Sequence, residues 1–266
     1  MQAEALYSRA LEAQERKPGR EHPLTLVTVD NLAYFAFLKG DYVGAEALFR
    51  RVVEARERTL GKEHRDTLRS VNGLASVLLE KNDCAAAEPL CRRALEASER
   101  TLGREHLITL LCVNGQALLL KAKGDYAGAE LLFQRALETR ERTRGKEHPL
   151  TLATVNDFAG SLLAKGDYTR AETMFRRALT SRQKVLGDQH PALASTLMGI
   201  AGCLSAQGKL AEAEGCYRQS LALYRKIGNP EHPQIPVAFK NLTEMLKKQG
   251  KLAEAEAGGE APPLRR

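Results

Sequence analysis

The sequence contains no tryptophan, and its aromatic content is only 5%. That is lean for an enzyme with a ligand pocket, and it leaves few rings on which single-stranded bases could stack. Its five cysteines, Cys84, Cys91, Cys112, Cys203 and Cys216, are odd in number and include no C-x-x-C pair, which excludes a disulfide framework and predicts reduced, packed thiols. No uninterrupted apolar run is long enough to span a membrane, and no signal peptide opens the chain, so a cytoplasmic protein with no membrane partner is expected. No H-E-x-x-H, G-x-S-x-G or glycine-rich phosphate cradle occurs, so no catalytic residue is assigned and no cofactor is expected. Strand-like alternation is missing throughout.

A strict repeat is present instead. Histidine returns at His22, His64, His106, His148, His190 and His232, each step being 42 residues (64 − 22). An Ala-Glu pair keeps the same register at Ala45-Glu46, Ala87-Glu88, Ala129-Glu130, Ala171-Glu172, Ala213-Glu214 and Ala255-Glu256, and extrapolates back to Ala3-Glu4. A fixed period of this size specifies stacked supersecondary units, each packed on its neighbours.

Each unit reads as two helices. Apolar residues at i, i+3 and i+4, such as Ala3, Leu6, Tyr7, Ala10 and Leu11, form the buried stripe of a helix over 2–17. First helices are predicted over 23–39, 65–81, 107–123, 149–165, 191–207 and 233–249. Second helices are predicted from Asp41 to about Arg58, then over 85–101, 127–143, 169–185 and 211–227. Pro23 suits a first turn, Gly40 a helix exit and Asp41 a cap for the helix after it. Residues 1–257 thus form an array of about six 42-residue units with a half-repeat at each end, and 258–266 (GGEAPPLRR) a flexible tail. The N-terminal half-repeat suggests self-association or a cut through a longer array.

Small alanines recur at Ala33, Ala75, Ala117, Ala159 and Ala201 in the first helices and at Ala94, Ala136 and Ala178 in the second. With EPLCRRALEASERTLGREH (Glu88 to His106) and KGDYTRAETMFRRAL (Lys165 to Leu179), this pattern resembles the tetratricopeptide repeat, in the 42-residue variant of kinesin light chains and nephrocystin rather than the usual repeat of about 34 residues. The resemblance implies an all-α, right-handed superhelical solenoid of antiparallel helix pairs. It also implies a non-enzymatic protein–protein interaction scaffold with a concave groove lined by the first helices. One column of that groove then reads Asp30, Asn72, Asn114, Asn156, Met198 and Lys240, and its asparagines would each offer a donor and an acceptor to the backbone of an extended peptide or partner helix. Asn31, Tyr34, Arg69, Leu118, Lys121 and Lys247 would supply selectivity. Charge on this surface is nearly balanced, with Arg69, Lys121, Lys240, Lys247 and Lys248 against Asp30, Glu80, Asp157 and Glu244, so no acidic ligand is specified.

Three competing readings bear on function. The periodic histidines could be metal ligands, but ligands must converge on one ion and repeat equivalents lie successive units apart, so they are read as loop residues and no metal is expected. Arg9, Arg51, Arg93, Arg135 and Arg177 could form a basic stripe for nucleic acid, in keeping with the net charge of +7. Against this, Glu46/Arg50, Glu54/Arg58, Glu88/Arg92, Glu96/Arg100 and Glu138/Arg142 stand as i, i+4 pairs, so a solvated outer face is favoured over nucleic-acid binding. Finally, the array could be the sensor or cargo-binding arm of a larger motor accessory or ATPase regulator. Kinesin light chains join their motor through a heptad coiled coil, and no sustained heptad run occurs in this sequence.

Overall fold

The computed structural model describes residues 2–226 and 234–251, and among these every regular element is a helix. His232, Ala255-Glu256 and the tail over 258–266 lie outside the described residues. In chain order the helices are α1 (Gln2–Arg16), α2 (Pro23–Lys39), α3 (Tyr42–Thr59), α4 (Arg65–Glu80), α5 (Cys84–Leu102), α6 (Leu107–Ala122), α7 (Tyr126–Arg144), α8 (Pro149–Lys165), α9 (Tyr168–Leu186), α10 (Pro191–Ala206), α11 (Leu210–Lys226) and α12 (Gln234–Lys248). Two compact units divide them, one up to Ala136 and one from Leu137. In the first unit α2 packs on α3, α4 on α5, and the first helices α4 and α6 pack on each other. In the second, α8 packs on α9, α10 on α11, and α11 on α12.

The helix boundaries follow from local chemistry. Gly40 has φ 82° and its N–H returns to the carbonyls of Ala36 and Phe37, closing α2 through the left-handed conformation that glycine adopts at least cost. Asn82 takes the same kind of turn at φ 60°. Asp41, Asp83 and Asp167 then accept from the N–H groups of Gly44, Ala86 and Arg170, capping α3, α5 and α9.

The core is built by matching large against small. The alanines that recur at the repeat period (Ala33, Ala75, Ala117, Ala159 and Ala201; Ala45, Ala87, Ala129, Ala171 and Ala213) are all inaccessible to solvent. Phe49 of α3 lies on Gly73 of α4, where a Cβ would come within 2.6 Å of the ring, and Phe175 of α9 lies likewise on Gly199 of α10. At these two places the ring of the second helix fills the space left by a missing side chain on the next first helix, whereas Tyr217 at the same register meets Asn241 and bonds to it. The glutamates after the alanines tie neighbouring repeats together at their edge. Glu46 pairs with Lys81 at 2.6 Å, Glu88 with Lys123 at 2.9 Å and Glu214 with Lys251 at 2.8 Å, while Glu172 accepts from Gln207 at 2.8 Å. Such exposed pairs contribute only about 0–1 kcal/mol each.

Two glycines separate packing from propensity. Gly73→Val should destabilise by about 1–3 kcal/mol through overpacking against Phe49. Gly215→Ala, inside α11 with open space around its Cα, should stabilise by up to about 1 kcal/mol. Chemical denaturation midpoints at constant slope will distinguish the two signs.

Candidate functional site

The periodic histidines begin the first helices. Nδ1 of His22, His64, His106, His148 and His190 accepts from the backbone N–H two residues on, at 3.2–3.3 Å, while each backbone stands in the extended conformation of an N-cap. They were expected as loop residues, and their capping was not foreseen, because the preferred caps are Ser, Thr, Asp and Asn. Among the described residues no three His, Cys, Asp or Glu side chains come together as a metal site. Cys91, Cys112 and Cys203 are buried, and burial pushes each thiol up to about 12, far from a reactive thiolate.

A second periodic element lies inside the stack. Arg56, Arg140 and Arg182 sit at one register of the second helices and are almost completely buried. Arg56 Nη1 donates to Asp30 Oδ1 at 3.1 Å, to Ser70 Oγ at 2.6 Å and to the Asp66 carbonyl at 3.1 Å. Arg182 Nη1 makes the same set in the second unit: Asn156 Oδ1 at 3.2 Å, Thr196 Oγ1 at 2.5 Å and the Ala192 carbonyl at 2.9 Å. Arg140 reaches the Leu150 carbonyl at 3.0 Å and the Thr154 hydroxyl. Burial lowers the pKa of Arg56 and Arg182, and that of Arg140 to about 10, partly opposed by Asp30 for Arg56 and by Asp157 for the other two; all remain cations at neutral pH. In the second repeat Ser98 and Cys112 occupy the arginine and hydroxyl positions, and Asn72 Oδ1 is buried without a hydrogen-bond donor.

The column of groove residues meets this network directly. Asp30 is buried and also accepts from Ser70 Oγ at 2.6 Å and pairs with Arg69 at 2.8 Å. Asn72, Asn114 and Asn156 are half-buried. Asn72 turns its oxygen onto the bare Cα of Gly115 on α6, Asn114 Oδ1 is also buried, and Asn156 Oδ1 accepts from Thr196 on α10 at 3.0 Å as well as from Arg182. The sequence expectation gave each amide both a donor and an acceptor for a ligand; in the structure the acceptor ends face into the helix packing. Met198 is half-buried and Lys240 is exposed, 3.9 Å from Glu244.

Of the other predicted site residues, the first unit holds all but Lys247, which is exposed on α12 in the second unit. Asn31 and Tyr34 are exposed on α2, Tyr34 to 56% with its ring 6.1 Å from Phe37. Arg69 lies on α4, and Leu118 and Lys121 are half-buried on α6. These helices carry Asp30, Asn72 and Asn114 too, so the first unit collects eight of the predicted positions on three successive first helices; Asn156 stands on α8 in the second unit.

The outer arginines are engaged across repeats rather than only along their own helices. Arg51 pairs with Glu15 at 2.5 Å, Arg93 with Glu57 at 2.8 Å, Arg135 with Glu99 at 2.6 Å, and Arg177 with Glu141. The i, i+4 pairs Glu46/Arg50 and Glu54/Arg58 form, but Arg100, expected on Glu96, reaches Glu63 instead. No helix among the described residues is long and apolar enough to cross a membrane.

Comparison with known proteins agrees with this architecture. The model of the tetratricopeptide repeat matches at residues 26–99, 66–142, 111–184, 151–226 and 193–257. No curated protein matches the sequence. Among solved structures, BtubC (BKLC) from P. vanneervenii is similar at 19% identity over 84% of this chain and 87% of that one, with a TM-score of 0.62. A Podosopora anserina protein of nearly identical TPR-like repeats, designated a kinesin light chain, is 25% identical over 77% of this chain and 98% of that one, with a TM-score of 0.55. Aspartyl phosphate phosphatase F from Bacillus subtilis is 16% identical over 79% of this chain and 53% of that one, with a TM-score of 0.58.

Capping by an imidazole makes stability depend on pH. Burial, then the charge of Arg182, lowers the pKa of His190 below its ordinary value. The folded state therefore favours the neutral ring, whose Nδ1 is the acceptor. Its contribution is complete above about 6.5, the value of a free imidazole, and is lost as pH falls through the lower folded value. His190→Asn keeps a capping acceptor that does not titrate, so its melting temperature should fall less than that of the unmodified chain between pH 7.5 and pH 5.

Proposed function

We propose that this chain, which belongs to the tetratricopeptide repeat family and carries repeats of the kinesin light chain type, is a non-enzymatic scaffold that holds an extended peptide or partner helix on a concave face of its first helices. The family supports the broader half of this reading, since its members act generally as protein-interaction scaffolds without catalysis. The observation that supports the narrower half is the gathering of Asn31, Tyr34, Arg69, Asn72, Asn114, Leu118 and Lys121 on α2, α4 and α6. There an exposed aromatic ring, two cations and half-buried amides share one set of packed helices. Asn156 holds the same repeat register on α8.

A cargo-binding arm of a motor accessory is a second reading, favoured by the likeness to the Podosopora anserina protein designated a kinesin light chain. It uses the same face and differs only in what the array is attached to. Self-association with a second copy through α1 belongs to the proposal too. Tyr7 is 37% exposed, whereas Phe49, Phe175 and Tyr217 at the same register are buried beneath a first helix.

Simultaneous Asn72→Ala, Asn114→Ala and Asn156→Ala should abolish capture of a peptide selected on the unmodified chain from a displayed random library, while the far-ultraviolet helical signal persists. Capture at undiminished affinity would remove the first-helix face from consideration. Tyr7→Glu should shift any concentration-dependent mass seen by light scattering to that of the monomer; no such mass in the unmodified chain would exclude self-association.

A further inference from the structure

We infer that buried Arg182 is the positioning residue of the Asn156 amide, and that this amide consequently offers a ligand hydrogen-bond donors only. The inference rests on the proposed first-helix face as the binding surface and specifies its chemistry. A guanidinium carries five N–H donors and no acceptor. The end of the Asn156 amide that lies 3.2 Å from Arg182 Nη1 is therefore its oxygen, because the reversed amide would set N–H against N–H. Thr196 Oγ1, 3.0 Å from the same oxygen, approaches from α10.

Arg182 cannot turn away to release it. The two hydrogens of the same nitrogen are shared among Asn156 Oδ1, the Ala192 carbonyl at 2.9 Å and Thr196 Oγ1 at 2.5 Å, its other terminal nitrogen reaches the Leu152 carbonyl at 3.4 Å, and the side chain is buried. With the oxygen fixed, amide planarity places Nδ2 on the opposite side, where it forms no hydrogen bond with the described residues. Asn72 reaches the same orientation by packing, with its oxygen against Gly115. A ligand at Asn156 must then present acceptors, and on an extended peptide those are backbone carbonyls. Its own N–H groups would find no acceptor at Asn156.

The first unit contains a control for this geometry. There Asp30 stands in the asparagine column and is gripped by Arg56 and Ser70 in the way Asn156 is gripped by Arg182 and Thr196. An aspartate at 156 is thus compatible with the buried network on one oxygen. At the other it replaces the donor with an acceptor that carries negative charge and lacks the arginine that pairs with Asp30 Oδ2, since position 195 is serine where 69 is arginine.

The probe is a 12-residue peptide selected by phage display on the unmodified chain and resynthesised, with Kd measured by calorimetry. Asn156→Ala should weaken binding about tenfold, the loss of one hydrogen bond of roughly 1.4 kcal/mol, and Asn156→Asp, which sets an anionic acceptor against the ligand's acceptors, should weaken it at least as much. If Asn156→Ala weakens binding and Asn156→Asp does not, the donor assignment is overturned while the first-helix face stands. If Asn156→Ala binds as well as the unmodified chain, Asn156 does not meet the ligand and the donor assignment is overturned, while the triple asparagine variant decides whether the first-helix face stands. Arg182→Met should weaken binding and shift the Asn156 side-chain amide resonances in the nitrogen–proton spectrum. Unchanged resonances and affinity would refute the positioning role. Should Arg182→Met fail to fold, isosteric Thr196→Val removes one partner of the same oxygen and should move both readouts, whereas Thr196→Ser, which keeps the hydroxyl, should move neither; a valine that moves neither readout also refutes it.

Discussion

In two of the repeats a buried arginine touches two successive first helices at once, and its need for matched partners constrains how those helices pack. Arg56 joins Asp30 of α2 to Ser70 and the Asp66 carbonyl of α4, and Arg182 joins Asn156 of α8 to Thr196 and the Ala192 carbonyl of α10. Burying a cation costs several kcal/mol unless its donors are matched. Here a carboxylate or amide oxygen, a hydroxyl and a first-turn carbonyl match them. The carbonyls are those of residues just inside the first turn, so the arginine binds where the histidine cap has already fixed the backbone. Cap and arginine thus act on the same turn from opposite sides, which ties the start of every such first helix to the second helix before it.

In the second repeat that cation is absent. Ser98 and Cys112 replace the arginine and the hydroxyl, and Cys91 replaces the phenylalanine that covers Gly73 and Gly199 at the equivalent places of two other repeats. Gly115 nevertheless remains bare, and Asn72 leans into the space so released, its oxygen buried without a donor. A buried unpaired acceptor costs about 1–3 kcal/mol. Thr109 Oγ1, bonded at 3.1 Å to the Ser98 carbonyl, provides a different link between α5 and α6. The repeat keeps its geometry because shape is conserved through compensating sizes, even where the polar network is not.

Much of this was legible in the sequence because the repeat has no insertions. Every glycine exit, aspartate cap and helix pair of the described residues falls where the 42-residue register puts it, since those features depend on neighbours a few residues away. The long-range partners were not legible. Arg51, Arg93, Arg135 and Arg177 were read as an outer stripe, yet each meets a glutamate 36 residues earlier, on the preceding second helix. Helical periodicity alone exposes i, i+4 neighbours and is silent on that distance. Arg56, Arg140 and Arg182 were missed because a buried arginine looks in sequence like a surface one. Their signal was a skipped register, with Ser98 and Tyr224 at the equivalent places.

The same reasoning explains why the two arginine registers have opposite consequences for binding. The outer register is spent on glutamates one repeat away, so its charges neutralise one another and leave little field to draw a polyanion. The inner register is spent on the oxygens of the groove column, and there neutralisation creates asymmetry instead of removing it. An amide whose oxygen is already taken has only its nitrogen left to offer. At Asn156 packing and the proposed recognition are therefore not separate tasks: the hydrogen bonds that join α8 to α9 and α10 also select which half of that amide faces away from the packing.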